Sequence, residues 1–241
     1  MKDFIIYTQP KKAERKLEER EYSLDELQRV PGTSSFQELE LVKNGTLIKT
    51  NELEQYRTFE FSCEFLVRLV SATKPVFATL SFELWQQRHG QLVITFAARK
   101  KASRVAVSLL SFVLYGDPFA ITPVRLTASD FRKLKEYIVQ KHSGNLTHIL
   151  LHDIRSETGT VNRLLMSGAS LEKFLNFDQL LKNASKIRGM GFAITPFYGG
   201  RRFSFRIKDW GGGQIYSPAV PLDHEISGLL KLFEEALFSN I

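Results

Sequence analysis

A single cysteine, Cys63, in 241 residues excludes an internal disulfide framework and any zinc cage built on cysteine. Long hydrophobic runs are missing too. The longest, Val105 to Tyr115, is interrupted by Ser108 and Ser111 and falls short of the roughly 18 residues a membrane-spanning helix needs. The first residues, MKDFIIYTQPKKAERK, lack the apolar stretch of a secretory signal, so a cytoplasmic protein with no membrane partner is expected. The sequence also lacks G-x-G-x-x-G and Walker loops, a G-x-S-x-G elbow, H-E-x-x-H and an EF-hand loop. No cofactor is expected, and no metal.

What is present is ordinary in bulk and uneven in detail. Hydrophobic residues at 43 % and charged residues at 24 % match a folded domain and exclude a wholly disordered or collagenous chain. The length allows one large domain or two small ones. Phenylalanine is abundant, with 19 copies. The net charge of +7 is concentrated: residues 91–145 carry 9 basic and 3 acidic side chains, whereas residues 1–35 carry 7 of each. From Lys186 to Lys208 there are six cations and no carboxylate. A localised excess of this kind informs about partners, since it creates a field that an evenly mixed surface does not.

Residues 1–35 mix Lys and Arg with Glu and end in a breaker cluster, Pro31 to Ser35, so a charged, mobile N-terminal arm is expected there. Within it, Ser23 and Glu26 have capping-box spacing. The compact fold is expected from Phe36. Asn44-Gly45 has the chemistry of a tight hairpin turn. From Phe59 to Leu69 the odd positions are apolar and most even ones polar, the period of a half-buried strand. With Pro75 to Trp85 and Leu92 to Phe96 this makes an antiparallel meander, followed by a helix, Ser103 to Gly116, apolar on nearly all sides. A further helix is capped by Thr127 and ends near Gly144.

Residues 36–145 thus form one segment, and residues 146–241 add a strand, a helix capped by Ser170, a hairpin closing at Gly199-Gly200, and a C-terminal helix after Asp223. The two segments are allowed to be one continuous domain. The fold class is α+β, an antiparallel twisted sheet or sheets built from hairpins with long helices packed on them. Each half ends a set of hairpin strands with an apolar helix, which permits two related sheet-plus-helix halves.

The second hairpin carries the leading candidate site. Arg202, Ser204, Arg206, Lys208 and Trp210 share one strand face, and Phe203, Phe205 and Ile207 share the other. Cations beside an indole suit phosphates and stacked bases. Arg201 and Arg188 extend the set, and Lys100, Lys101 and Arg104 form a second basic cluster at a helix start, where unpaired amides attract anions. Arg188-Gly-Met-Gly-Phe192 shares Arg188, Gly189, Gly191 and Phe192 with the RNA-recognition-motif signature but departs at Met190, Ala193 and Thr195, so the family is not assigned.

Other residues read more simply. His148 and His152 are about 13 Å apart on a strand, too far for a metal pair. Glu60 and Glu64 are equally separated, too far for a retaining glycosidase pair, which needs about 5–5.5 Å. Asp223-His224-Glu225 reads as helix capping, and Cys63 as a core thiol.

The expected function is non-catalytic nucleic-acid binding through the basic, aromatic-bearing hairpin face. The alternatives are an assembly module that docks a protein partner or a second copy, and an enzyme whose site is assembled from residues distant in sequence.

Overall fold

The computed structural model describes residues 1–11, 14–15, 17–30, 37–67, 75–156, 159–198 and 200–238. The Pro31–Ser35 cluster, the start at Phe36, Arg68, Leu69 and Gly199 lie outside them. The fold mixes helix with antiparallel strand and divides into two compact units: Ile5–Pro123, and Met1–Phe4 with Val124–Ile241. Helix 128–141 belongs with the later of these units. No helix among the described residues is long and apolar enough to cross a membrane.

The first unit is a meander followed by a helix. Strands β1 (Lys2–Thr8, of which Ile5–Thr8 belong here), β2 (Tyr22–Ser23), β3 (Val42–Glu52), β4 (Tyr56–Val67), β5 (Val76–Gln87) and β6 (Leu92–Thr95) pair in the order β2-β3-β4-β5-β6-β1. On β4 the alternation holds as far as Phe65: Phe59, Phe61, Cys63 and Phe65 are buried, and Glu60, Ser62 and Glu64 face the other way. Phe61 pairs across with Phe82, ring to ring at 5.5 Å. Burial pushes the Cys63 thiol up to about 11, which makes it a core residue and a poor nucleophile.

Helix α2 (Lys100–Tyr115) buries ten residues, including Ser103 and Ser111, and stops at Gly116, whose φ of 74° is the left-handed conformation of a helix C-terminus. Its buried hydroxyls are satisfied: Ser103 Oγ lies 2.7 Å from Tyr7 Oη and 2.5 Å from Thr95 Oγ1.

Asn44-Gly45 is no hairpin turn: β3 runs through it, with Asn44 at φ 50° inside a register shift between Lys43 and Thr46. The same tolerance of positive φ that serves a turn also serves a bulge. Buried Gly45 leaves room there for Phe61 and Leu24, whose atoms stand 3.1 and 3.2 Å from where a Cβ would be.

Described segments within residues 1–30 are packed. Phe4 to Tyr7 are buried in β1, and Gln9 donates to the carbonyls of Gln87 and Gly90. Arg15 N donates to Leu114 O at 2.7 Å at the end of α2. Helix α1 (Leu24–Gln28) carries the expected Ser23–Glu26 capping box and buries Leu24 and Leu27. Four successive apolar side chains outweigh the charged residues that follow them.

The second unit also joins antiparallel strands to helices. After β7 (Thr122–Pro123) come α3 (Ala128–Lys141), β8 (Asn145–Ser156), β9 (Gly159–Ser167), α4 (Phe177–Asn183), β10 (Ala184–Ile194), β11 (Phe203–Lys208), β12 (Gly212–Ser217) and α5 (Asp223–Phe238). The strand order is β12-β11-β10-β8-β9. Helix α3 has its Thr127–Asp130 capping box. Ser170, expected as a helix cap, sits at φ 56° with no capping bond, and only a short 3-10 turn, Leu171–Lys173, precedes α4.

Met190, Phe192, Phe203, Phe205 and Ile207 are fully buried on the inner face. Phe233 of α5 meets Phe205 edge-on at 5.6 Å and Phe4 at 6.3 Å. Phe131, Leu134 and Ile138 are the buried stripe of α3, which packs on β8, β10 and α5. With the inner face so filled, the polar side chains of β8 to β12 are turned to the opposite, outer face.

Candidate nucleic-acid interface

The parity expected for β11 is found: Phe203, Phe205 and Ile207 are buried, and Ser204, Arg206 and Lys208 are partly exposed. Pairing then extends each outer residue into a row across the sheet. Arg206 stands opposite Gln214 on β12 and Gly191 on β10, and Gly191 stands opposite His148 on β8, itself opposite Ser167 on β9. One step along, Lys208 faces Gly189, then Leu150 and Leu165. A third row holds Lys186, His152 and Arg163.

At the centre of this face, Tyr216 and His148 stack with centroids 6.2 Å apart and planes 21° apart, although they come from β12 and β8. Two strands lie between them, and the contact is possible because β10 presents only glycine there. A Cβ on Gly191 would stand 3.1 Å from His148 Cβ and 3.3 Å from its Nδ1. The Arg206 guanidinium lies 5.9 Å from the Tyr216 ring centroid and donates to Gln214 Oε1 at 2.8 Å, while Gln214 donates to Asp3 Oδ1 at 2.9 Å. This chain of bonds holds the arginine against the face. Burial, then the Arg206 charge, holds His148 below the usual imidazole range, so its ring is neutral at physiological pH.

Trp210 joins the same face by a different route. Its indole covers Gly212, where a Cβ would overlap the ring, and Lys208 Nζ lies 5.7 Å from the ring centroid. Arg206, Lys208 and Trp210 are therefore brought together with Tyr216, His148, Lys186 and Arg163, which the sequence reading did not place in the site. Their signal was present only as alternation on β8, β9 and β12, and the row that joins them is a product of register.

The remaining candidates are placed elsewhere. Arg201 is committed to Glu225, with Nε and Nη2 donating to its carboxylate at 2.5 and 2.6 Å. The Glu225 side chain is wholly buried and its Oε2 also accepts from Leu222 N at 2.8 Å, so this pair locks the start of α5. Arg188 is exposed and pairs with Asp209 at 2.6 Å, and Arg202 is exposed beside the hairpin end. Lys100, Lys101 and Arg104 begin α2 in the first unit. Arg104 donates to Glu38 at 2.7 Å, and the N-cap residue Arg99 makes no side-chain capping bond.

The partial match to the RNA-recognition motif is overturned by orientation. That signature needs outward aromatics at its third and fifth positions, and here those positions are Met190 and Phe192, both fully buried. Outward aromatics exist in this unit, but on β12 and at its entry. No protein-family model and no curated protein matches the chain.

Proposed function

We propose that the chain is a non-catalytic nucleic-acid-binding protein and that the outer face of its second unit is the binding surface. The observation that carries this reading is the Tyr216–His148–Arg206 cluster, with Lys208 and Trp210 in the same face. Phosphate attraction needs cations that are not neutralised locally, and no carboxylate pairs with Arg206 or Lys208 among the described ion pairs. Aromatic rings held edge-up or flat on a sheet offer bases a stacking surface.

Fluorescence anisotropy tests the proposal, with labelled DNA and RNA at low and physiological salt and the double variant Arg206→Ala, Lys208→Ala alongside. Binding that weakens with salt and is largely lost in the variant supports it. Absence of binding at low salt to every nucleic acid rejects it.

A second reading, an assembly module, is favoured by the edge strand β9. Val161 and Leu165 are 49 % and 58 % exposed there, and Phe174 and Leu175 in the following loop are 57 % and 80 % exposed. Such apolar groups beside an open strand edge suit a protein partner or a second copy. Light scattering across a concentration series distinguishes a self-associating chain from a monomer.

A further inference from the structure

We infer that the outer face of the second unit takes unpaired bases, not duplex, and that Tyr216 is the platform on which a base stacks; the inference rests on the nucleic-acid reading above. The geometry of the face argues against duplex. Base edges are read by an element that enters a groove, and the major groove is about 12 Å wide. Five strands about 4.8 Å apart present a face about 19 Å across, too broad to enter it. The candidate side chains stand on the strands of this face and on the turn after β11, with no helix among them.

A sheet face of this kind can instead receive bases laid against a ring held on it. The outward positions of β10, Gly189, Gly191 and Ala193, are buried, and because they project almost nothing, His148 and Tyr216 close over Gly191 and the Tyr216 ring is the surface offered to a base. Beside that strip, Leu150 and Leu165 offer apolar contact to a base face, and Lys208, Lys186 and Arg163 are placed along it for phosphates.

Tyr216 is 38 % exposed and braced by His148, so its ring is presented in a fixed orientation, and less side-chain entropy is lost when a base stacks on it. Trp210 is the more packed of the two aromatics because Gly212 lies directly beneath its ring. The neutral His148 imidazole supports the phenol without adding a cation of its own.

The experiment compares oligo-dT, oligo-rU and a blunt duplex of matching length by anisotropy, using the full chain, Tyr216→Ala, Tyr216→Phe and the Arg206→Ala, Lys208→Ala pair. Single strands are expected to bind at least about 10-fold more tightly than duplex. Tyr216→Ala loses about 10-fold on single strands and little on duplex, and Tyr216→Phe, which keeps the ring, retains most of the affinity. The unmodified chain's preference between single and double strand tests the inference even if Tyr216→Ala misfolds.

Duplex bound as tightly as single strand, or Tyr216→Ala equal to the unmodified chain while the cation pair loses binding, overturns the inference and leaves the nucleic-acid reading standing. No binding of any of the three ligands overturns both.

Discussion

The two units solve the same packing problem and present opposite surfaces. Each joins antiparallel strands to a 16-residue helix, α2 in one and α5 in the other, and each fills the inner face with phenylalanine and branched residues. On the outer face of the first unit, Glu60 stands directly opposite Glu83, Ser62 opposite Ser81 and Glu64 opposite Thr79. Ser81 Oγ donates to Glu60 Oε1 at 2.5 Å. On the outer face of the second unit stand Arg206, Lys208, Lys186 and Arg163 with Tyr216 and His148. Packing constrains inner positions to shapes that interlock, whereas outer positions are free to differ in charge, and the difference between the units is concentrated there.

Charge reversal breaks this comparison most sharply. Replacing Arg206 and Lys208 by Glu is expected to weaken oligonucleotide binding by about 100-fold or more at low salt, while Glu60→Lys with Glu83→Lys in the first unit leaves the affinity for the second unit's face nearly unchanged. Anisotropy titrations of both pairs against one oligonucleotide decide it. Equal losses in the two pairs would mean that net charge alone governs binding.

Inner and outer residues of one strand are compared by denaturant unfolding. Phe205→Ala removes a fully buried ring in contact with Phe192, Phe203 and Phe233 and is expected to cost about 3–5 kcal/mol. Its neighbour Ser204→Ala is expected to change stability by about 0.5 kcal/mol or less. Phe61→Ala on β4 repeats the large loss in the first unit, where its ring meets Phe82.

Arg201 differs from the cations of the face by supporting structure. The hydrogen-bonded Arg201 guanidinium holds the Glu225 carboxyl below its ordinary range, so the pair stabilises at neutral pH and this contribution fades as pH falls through the carboxylate range. Arg201→Ala is therefore expected to melt lower than the parent at pH 7 and to converge with it in acid, with little effect on oligonucleotide affinity. A salt-dependent loss of binding in this variant would return Arg201 to the interface.

The smallest effect concerns His148. A depressed imidazole means that the fold favours the neutral ring, so stability is present above about pH 6.5 and declines as pH falls below it. His142 is shifted the same way by burial. His148→Gln is expected to remove part of that acid-side decline in a melting-temperature profile, and an unchanged profile would exclude His148 as a contributor.

Much of the local structure was legible because local rules decide it. The period of two on β4 and β11 separates Phe from Glu or Arg without tertiary information, and the Ser23 and Thr127 capping boxes require only residues three apart. Asn44-Gly45 was misread because positive φ serves a bulge as well as a turn. Gly191 and Phe192 could match a recognition motif on paper because residue spacing does not say which side of the sheet is core. The cytoplasmic location and the absence of a catalytic site remain expectations of the sequence.

By itself, the sequence determined the mixed α+β class, the strand parities, the helix α2 that is apolar on most sides, and the run of cations without carboxylates from Lys186 to Lys208. Tertiary structure alone decided which cations remain available. It joined Arg201 to Glu225 and Arg188 to Asp209, left Arg206 beside Tyr216, and set His148 against a ring from β12. The physical reason is range: periodicity and capping act within a few residues, whereas ion pairing, desolvation and ring stacking depend on strand register between segments far apart in the chain.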